Sequence, residues 1–305
     1  MKNIILFLTI ATLVTLLGSC DENSFTQVVT IDIPEHDPRP VLNLQVEAKQ
    51  EGALNALVTN SKGILDPEST YEIPTDAEVT LYRNGEVFAN LEFSEVDQRY
   101  LAAINEPFPN QAGDTYLLEA NTPTFGLVQV SQVMPVVPKI KKATYEIEGT
   151  IDPSGFRVDE LIVDIVDQEP AKTNYYGLDL FQIYYSIDPY NGDTLNVFRS
   201  QVSIDTNDPL LSYGARYSLI FSDESFSGGE YQARCYTYYS VGEEMEMEVH
   251  LYQLTEDAFL YARSYEQYQN SINNPFAEPV TVHSNIPNGY GIFSLANKDV
   301  YLIED

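Results

Sequence analysis

The chain has 305 residues and a formal net charge of −30, with 46 acidic side chains against 16 Lys and Arg. A surface so acidic does not bind nucleic acid by neutralising phosphates, and anionic lipid repels it, which excludes both modes of binding. Apolar residues make up 44% and aromatic residues 12%, enough for packed cores, so the acidity is not that of a disordered tail.

In chain order, the first stretch, residues 1–20, sets the location. Lys2 gives a positive start, Ile4 to Leu17 is an almost unbroken apolar run, and Leu17-Gly18-Ser19-Cys20 closes it. A short apolar run ending in small residues is a secretory signal peptide, too brief for a spanning helix. Leu-small-small-Cys is moreover a lipobox, at which the thiol takes a diacylglycerol and the Cys becomes the first residue after cleavage. Cys20 is therefore the expected lipid-attachment site, and two or three acyl chains anchor stably where one does not. The alternative is an ordinary signal peptide with an incidental Cys. Cys235 is the other of the two cysteines, so acylation of Cys20 leaves no intramolecular disulfide. It lies in the alternating stretch Tyr231 to Tyr239 and is expected to be a small buried hydrophobe.

Residues 21–40 read as a tether with a first strand at Val28 to Ile33 and stiffening prolines at 34, 38 and 40. Residues 41–137 read as a β-sandwich domain. Val41 to Glu47 alternates with period two, and Ala77 to Tyr82 leads through the turn Arg83-Asn84-Gly85-Glu86 into Val87 to Phe93. Gly113 to Ala120 and Gly126 to Ser131 follow at similar spacing. Pro135 to Lys139 reads as a linker into a larger C-terminal β domain, residues 138–305. There Tyr175 to Tyr185 and Met245 to Tyr252 are strands, and Leu219 to Gly229 is a strand running into a Gly-rich turn. One α-helix is predicted near 256–271, with Thr255 as N-cap, Glu256 and Asp257 at its positive end, and Asn273-Asn274-Pro275 as the stop. Its stripe of Ala258, Tyr261, Tyr265, Tyr268 and Ile272 is expected to face a sheet or the end of a barrel, or to line a ligand groove. Glu278 to Asn285, the turn Pro287-Asn288-Gly289 and Tyr290 to Ala296 read as a closing hairpin. The expected fold class is thus mainly all-β, with one helix in the second domain.

The stretch Ala77 to Gly85 followed by Gly113-Asp-Thr-Tyr116 resembles immunoglobulin-like or transthyretin-like modules of bacterial surface proteins, and Asp21-Glu22 resembles the surface-export signal of Bacteroidota lipoproteins. A broader resemblance is carried by the lipobox, Ile31-Asp-Ile-Pro34, Asp76 to Gly85, Gly113 to Tyr116, Phe221 to Gly228, Asn274 to Val280 and Ser284 to Phe293. Together these resemble a family of lipoproteins from Bacteroidota, domain of unknown function 4249. Val41-Leu-Asn-Leu44 departs from the pattern, which has a Gly after the Asn. Members tend to be encoded beside TonB-dependent outer-membrane receptors. The resemblance therefore implies an acyl-anchored, non-enzymatic accessory protein of a nutrient import system at the outer membrane, cell-surface exposed or on the periplasmic face. The alternative is a stand-alone glycan- or peptide-binding surface lipoprotein, and the third reading is a hydrolase with an unrecognised site.

Chemistry is sparsely signalled. The histidines are His36, His250 and His283, and a hydrolase triad drawn from Ser284, His283 and Asp223 meets the objection that adjacent strand residues face opposite ways. No nucleophile elbow or zinc spacing is present. Paired carboxylates of a glycosidase cannot be told apart in so acidic a chain. Two oxygen-rich turns, Asp188 to Asp193 and Asp205 to Asp208, are calcium candidates through Asp188, Asp193, Asp205 and Asp208, with plain Asx turns as the alternative. The chain has 22 Tyr and no Trp; Tyr175, Tyr176, Tyr184, Tyr185 and Tyr190 are candidates for a stacking platform or a protein-facing patch.

Overall fold

A computed structural model describes residues 36–63, 73–187, 190, 194–226, 229–238, 246–272, 274 and 276–303; among them the chain is strands and one helix, the mainly-β class that the alternation predicts. The first half holds β1 (Pro40–Glu47), β2 (Gly52–Asn60), β3 (Glu78–Arg83), β4 (Glu86–Ser94), β5 (Arg99–Ile104), β6 (Thr115–Thr122) and β7 (Gly126–Val133). The second holds β8 (Lys139–Ile151), β9 (Arg157–Val166), β10 (Tyr175–Ile187), β11 (Thr194–Val202), β12 (Ser212–Gly214), β13 (Tyr217–Ser222), β14 (Glu230–Thr237), β15 (Met247–Leu254), α1 (Glu256–Ser271) and β16 (Tyr290–Ile303).

One hydrogen-bonded path runs β12-β13-β10-β15-β16-β1-β2-β5-β4-β3-β6-β7, with β11 on the side of β10. In the first half this path folds back on itself as a sandwich. β4 makes the corner, because Glu86 to Leu91 pair with β3 while Glu92 to Ser94 pair with β5. Period two turns Leu42, Leu44 and Val46 of β1, Leu54 and Val58 of β2, and Leu81 and Leu118 of β3 and β6 into one core. Phe88, Phe108 and Tyr116 fill it ring against ring, with centroids 5.0 to 6.2 Å apart. The predicted Asn84-Gly85 turn is present, with φ of 53° and 85°, the left-handed pair that a two-residue hairpin needs.

In the second half β14-β9-β8 form a separate three-stranded sheet laid over the β13-β10-β15 part of the path. Leu161, Val163 and Ile165 of β9 meet Leu178 and Leu180 of β10 and Val249 and Leu251 of β15 in a second core. The other face of the β13-β10-β15 part is covered by α1 at Tyr252 and Leu254, and by Arg199 and Phe181 at Glu248 and His250, so β15 is buried on both faces.

The structure corrects two sequence expectations here. Helix α1 spans the predicted residues, but its buried residues are Ala258, Phe259 and Ala262; of the predicted stripe only Ala258 is buried, Tyr261 and Tyr265 are half-buried, and Tyr268 and Ile272 are exposed. Small Ala258 and Ala262 bring the helix close to the sheet, and Phe259 meets the Tyr175 ring at a tilt, centroids 4.9 Å apart. Half-buried Tyr261 and Tyr265 stack on each other at 5.7 Å, and Tyr265 meets the exposed Tyr268 at a tilt, 6.2 Å apart. Nor is there a closing hairpin: residues 278–285 form no strand, and β16 pairs instead with β1, in parallel, and with β15, antiparallel. The Asn285 side chain takes the place of the missing strand, accepting from Phe293 N at 3.0 Å and donating to Phe293 O at 2.7 Å. At the start of the parallel pair Gly291 has φ of 104°, and a Cβ there would stand 2.2 Å from the Leu42 carbonyl.

Candidate functional site

The sequence-derived candidates scatter. Cys20, Asp188 and Asp193 lie outside the described residues. Tyr176 is fully buried in the second core, stacked on Phe221, and Tyr175 is covered by α1. Tyr184, Tyr185 and the almost wholly exposed Tyr190 belong to the β10–β11 hairpin. Five tyrosines close in sequence therefore form no single platform.

A different set does converge. From the last residue of β11 onward the chain drops Val202, Ile204 and Leu211 into the second core, while Asp205 stays half-buried. Asp205 and Tyr236 exchange backbone hydrogen bonds, both 2.8 Å. Period two on β14 turns Ala233 and Cys235 into the second core and Tyr236 to the opposite side, where it is buried and meets the exposed Tyr238, just past the strand, edge to face at 5.8 Å. Together with Tyr213, Gln182 and Ser200 to Asp205 these rings line a cavity of about 400 Å³. Its polar atoms are tied down: Tyr213 donates to Asp205 Oδ1, which also accepts from Thr206 N at 2.7 Å, and Tyr238 donates to Asp152 Oδ2 at 2.8 Å. The bond to Asp152, then burial, pushes the Tyr238 hydroxyl up to about 12; burial, then Asp205, pushes Tyr213 up as well. Both hydroxyls stay protonated donors at neutral pH. Fixed aromatic faces beside a carboxylate and hydroxyls suit stacking and hydrogen bonding to a polar ligand. The alternation Tyr236-Thr-Tyr238 was the available sequence signal, but Tyr213 joins it only through the fold.

Asp208 opens on a separate cavity of about 480 Å³. Its oxygens accept from Leu210 N at 2.9 Å and Tyr231 Oη at 2.6 Å, and so hold the turn that follows. Among the described residues no three His, Cys, Asp or Glu side chains are grouped to hold a metal.

His250 stands at the centre of a polar row on the other sheet face. It contacts Glu248 Oε2 at 3.1 Å and Tyr252 Oη at 3.3 Å, and lies across the β10–β15 pair from Asp179. Arg199 grips Glu248 with two bonds, 2.7 and 3.1 Å, and holds its carboxyl below the usual range. Burial lowers His250 and raises Asp179, even though Asp179 accepts from Ser218 N at 2.7 Å and Gln201 Nε2 at 2.9 Å. His283 pairs instead with Asp257 Oδ1 at 2.7 Å. The Ser284 hydroxyl faces Gly289 O and Ile286 N, and Asp223 is bonded to Asn174, so the drawn triad is not assembled. His36 lies at the start of the described residues. Burial pushes the Cys235 thiol up to about 12, which leaves it inert. No described helix is long and apolar enough to cross a membrane.

No curated protein matches the chain. Among solved structures it is similar to one described as "Marsupial T cell receptor", at 9% identity and a TM-score of 0.23, over 86% of this chain and 74% of that chain. A likeness so distant carries no argument. The family model described as Domain of unknown function (DUF4249) matches residues 26–301, and the chain belongs to that family.

Proposed function

We propose that the chain is a non-enzymatic lipoprotein of the outer membrane, anchored through Cys20, that docks on a TonB-dependent receptor in nutrient import. The observation that supports it best is the β10–β11 hairpin. Its last residues, 183–187 and 194–199, run past the register of β15 and expose Tyr185, Ile187, Leu195, Val197 and Phe198, with Ile187, Leu195 and Phe198 each 57% exposed. Apolar side chains gathered on one projecting element, on a chain otherwise heavily acidic, suit a protein partner better than water. The test is capture of the tagged, lipidated protein from gently solubilised outer membranes. A β-barrel receptor should come with the wild type and be lost with Phe198→Asp, whose melting should stay within about 0.5 kcal/mol of wild type, as for other exposed sites. Cys20→Ala should leave the membrane fraction. Wild type recovered without a receptor sinks the docking role; equal recovery by F198D removes the hairpin from it.

The cavity of Tyr213, Tyr236 and Tyr238 supports a second reading, binding of a glycan or peptide by the lipoprotein alone. Under that reading Tyr236→Ala abolishes ligand binding in a glycan or peptide screen and leaves receptor capture untouched.

A further inference from the structure

β1 pairs with β2 only from Pro40↔Asn60 to Asn43↔Leu57; beyond that point β1 pairs with β16 alone, and β2 pairs with β5 through residues 52–56. Where the two strands part, their outer side chains line a cavity of about 640 Å³, with Gln45 and Glu47 from β1 and Asn55 from β2. Lys49 enters it from the β1–β2 turn, Arg99 from β5, Lys298 from β16 and Arg216 from the turn between β12 and β13. Every lining residue carries a charge or an amide, with no aromatic or aliphatic side chain among them.

The charge balance here is the reverse of the chain's. Four of the 16 Lys and Arg line this cavity against two carboxylates, Glu47 and Glu51, in a protein with 46 acidic side chains. Elsewhere Arg83, Lys141, Lys172, Arg199 and Arg234 each hold a carboxylate of their own. Here Glu47 serves two cations, Arg216 at 2.8 Å and Lys298 at 3.6 Å. Lys49 and Arg99 join no ion pair among the described residues. The backbone supplies an independent observation. Lys49 has φ of 63° and Arg216 φ of 78°, the left-handed region that Gly or Asn occupies at less cost. Two long cations kept at such positions, on the wall of one cavity, mark a local strain of the kind that collects at binding sites. Both turns are fixed. Lys49 N donates to Phe108 O at 2.7 Å and Phe108 N to Gln50 O at 2.8 Å, while Ala215 N ties the Arg216 turn to Ala262 O of α1 at 3.1 Å. The cations are thus placed before any ligand arrives, which lowers the cost of binding.

We propose that this cavity binds an acidic oligosaccharide, its carboxylate or sulfate groups on Lys49, Arg99, Arg216 and Lys298. In the strand order β16-β1-β2-β5, Lys298 stands beyond β1 and Arg99 beyond β2, so the ligand carries anionic groups at more than one point along its length. Arg and Lys hold such groups by charge-assisted hydrogen bonds. The amides of Gln45 and Asn55 lie on the strands between them, and an amide both donates to and accepts from a sugar hydroxyl. A wall without apolar side chains gives a lipid chain nothing to bury against, nor the aromatic and aliphatic anchors on which peptide ligands depend. Salt screens charges beyond about 8 Å at physiological ionic strength, so the cavity's own cations outweigh the acidic remainder of the chain. The cavity shares no residue with that of Tyr213, Tyr236 and Tyr238 or with the β10–β11 hairpin, and the proposal depends on neither reading given above.

The experiment is calorimetry of the full chain with two probes, tetragalacturonate and a chondroitin sulfate tetrasaccharide, and with neutral maltotetraose as control. One saturable site should appear for at least one of the acids, and which acid binds tells carboxylate from sulfate recognition. Maltotetraose should give no saturable heat. Lys49 and Arg99 are exposed and unpaired by carboxylates, so Lys49→Gln and Arg99→Gln should leave the melting temperature unchanged while each weakens binding about tenfold. Glu51→Gln removes a repelling charge and should tighten binding about threefold. Lys142→Gln, an exposed cation on β8, should bind as wild type does. Absence of a saturable site for both acids, wild-type affinity in K49Q and R99Q, or an equal loss in K142Q each overturns the assignment. Tighter binding of a tetraglutamate peptide than of either saccharide overturns the ligand class.

Discussion

At the scale of single residues, His250 gives the clearest test of how burial and charge balance. The groups facing it are Glu248 and Tyr252 on its own strand, Asp179 and Phe181 on β10, and Lys298 on β16. Burial is the largest influence and keeps the imidazole neutral, against the pull of Glu248 toward the charged form. An unfolded His takes up its proton near pH 6.5, whereas the folded one waits for lower pH. The unfolded chain therefore binds more protons below that point, and stability falls as pH drops from about 7 toward 5. Asp179 works the other way, since its raised carboxyl takes up a proton in the folded state first. Thermal melts of wild type and His250→Gln between about pH 5 and 8 separate the two. The variant should show a shallower loss on the acid side, and an identical slope would mean that His250 titrates alike in both states. None of this was legible in the sequence. Alternation placed His250 opposite Met247 and Val249, but not under Phe181 and Lys298, because cross-strand neighbours depend on register.

At the scale of elements, helix α1 shows what local signals do and do not determine. Thr255 accepts from Ala258 N at 3.4 Å, as its sequence position predicts, and Glu256 and Asp257 occupy the first turn. The boundaries follow from these residues alone, because capping is settled within one turn. The facing side does not. Periodicity admits the tyrosine stripe as readily as Ala258, Phe259 and Ala262, and the choice falls to the side that packs closely on Tyr217, Ile220 and Tyr252. Two substitutions distinguish cap from packing. Thr255→Ala should cost about 1 kcal/mol, and Phe259→Ala about 3 kcal/mol, both read by denaturant melts. Tyr268→Ala, on the exposed side, should change stability by no more than about 0.5 kcal/mol. A larger loss for Tyr268 than for Phe259 would restore the predicted stripe.

At the scale of the molecule, β16 joins the two halves. Phe293 and Leu295 belong to the first core, Tyr301 and Ile303 pack on the second, and Ala296 between them lies under the helix. Asn297, completely buried, donates to the carbonyls of Asn110 and Pro135, both 2.9 Å, and so pins the interdomain segment to the last strand. A fragment of residues 38–137, cut at the expected boundary, lacks Ile286, Phe293 and Leu295 and leaves β1 an unpaired edge. It should show no cooperative unfolding transition, whereas residues 38–305 should melt cooperatively. A sharp transition in the short fragment would establish the first half as an autonomous domain.

The sequence by itself determined the mainly-β class, the Asn84-Gly85 hairpin, the helix and its cap, and the burial of Cys235. Each depends on residues close along the chain, where backbone sterics and period-two alternation act without distant help. Only the tertiary structure decided that the last strand lies beside the first, that Tyr213 meets Tyr236 and Tyr238, and that Arg216 and Lys298 converge on Glu47. Those contacts join residues far apart in sequence, and which of many similar strands become neighbours is set by the packing of whole faces rather than by any local pattern.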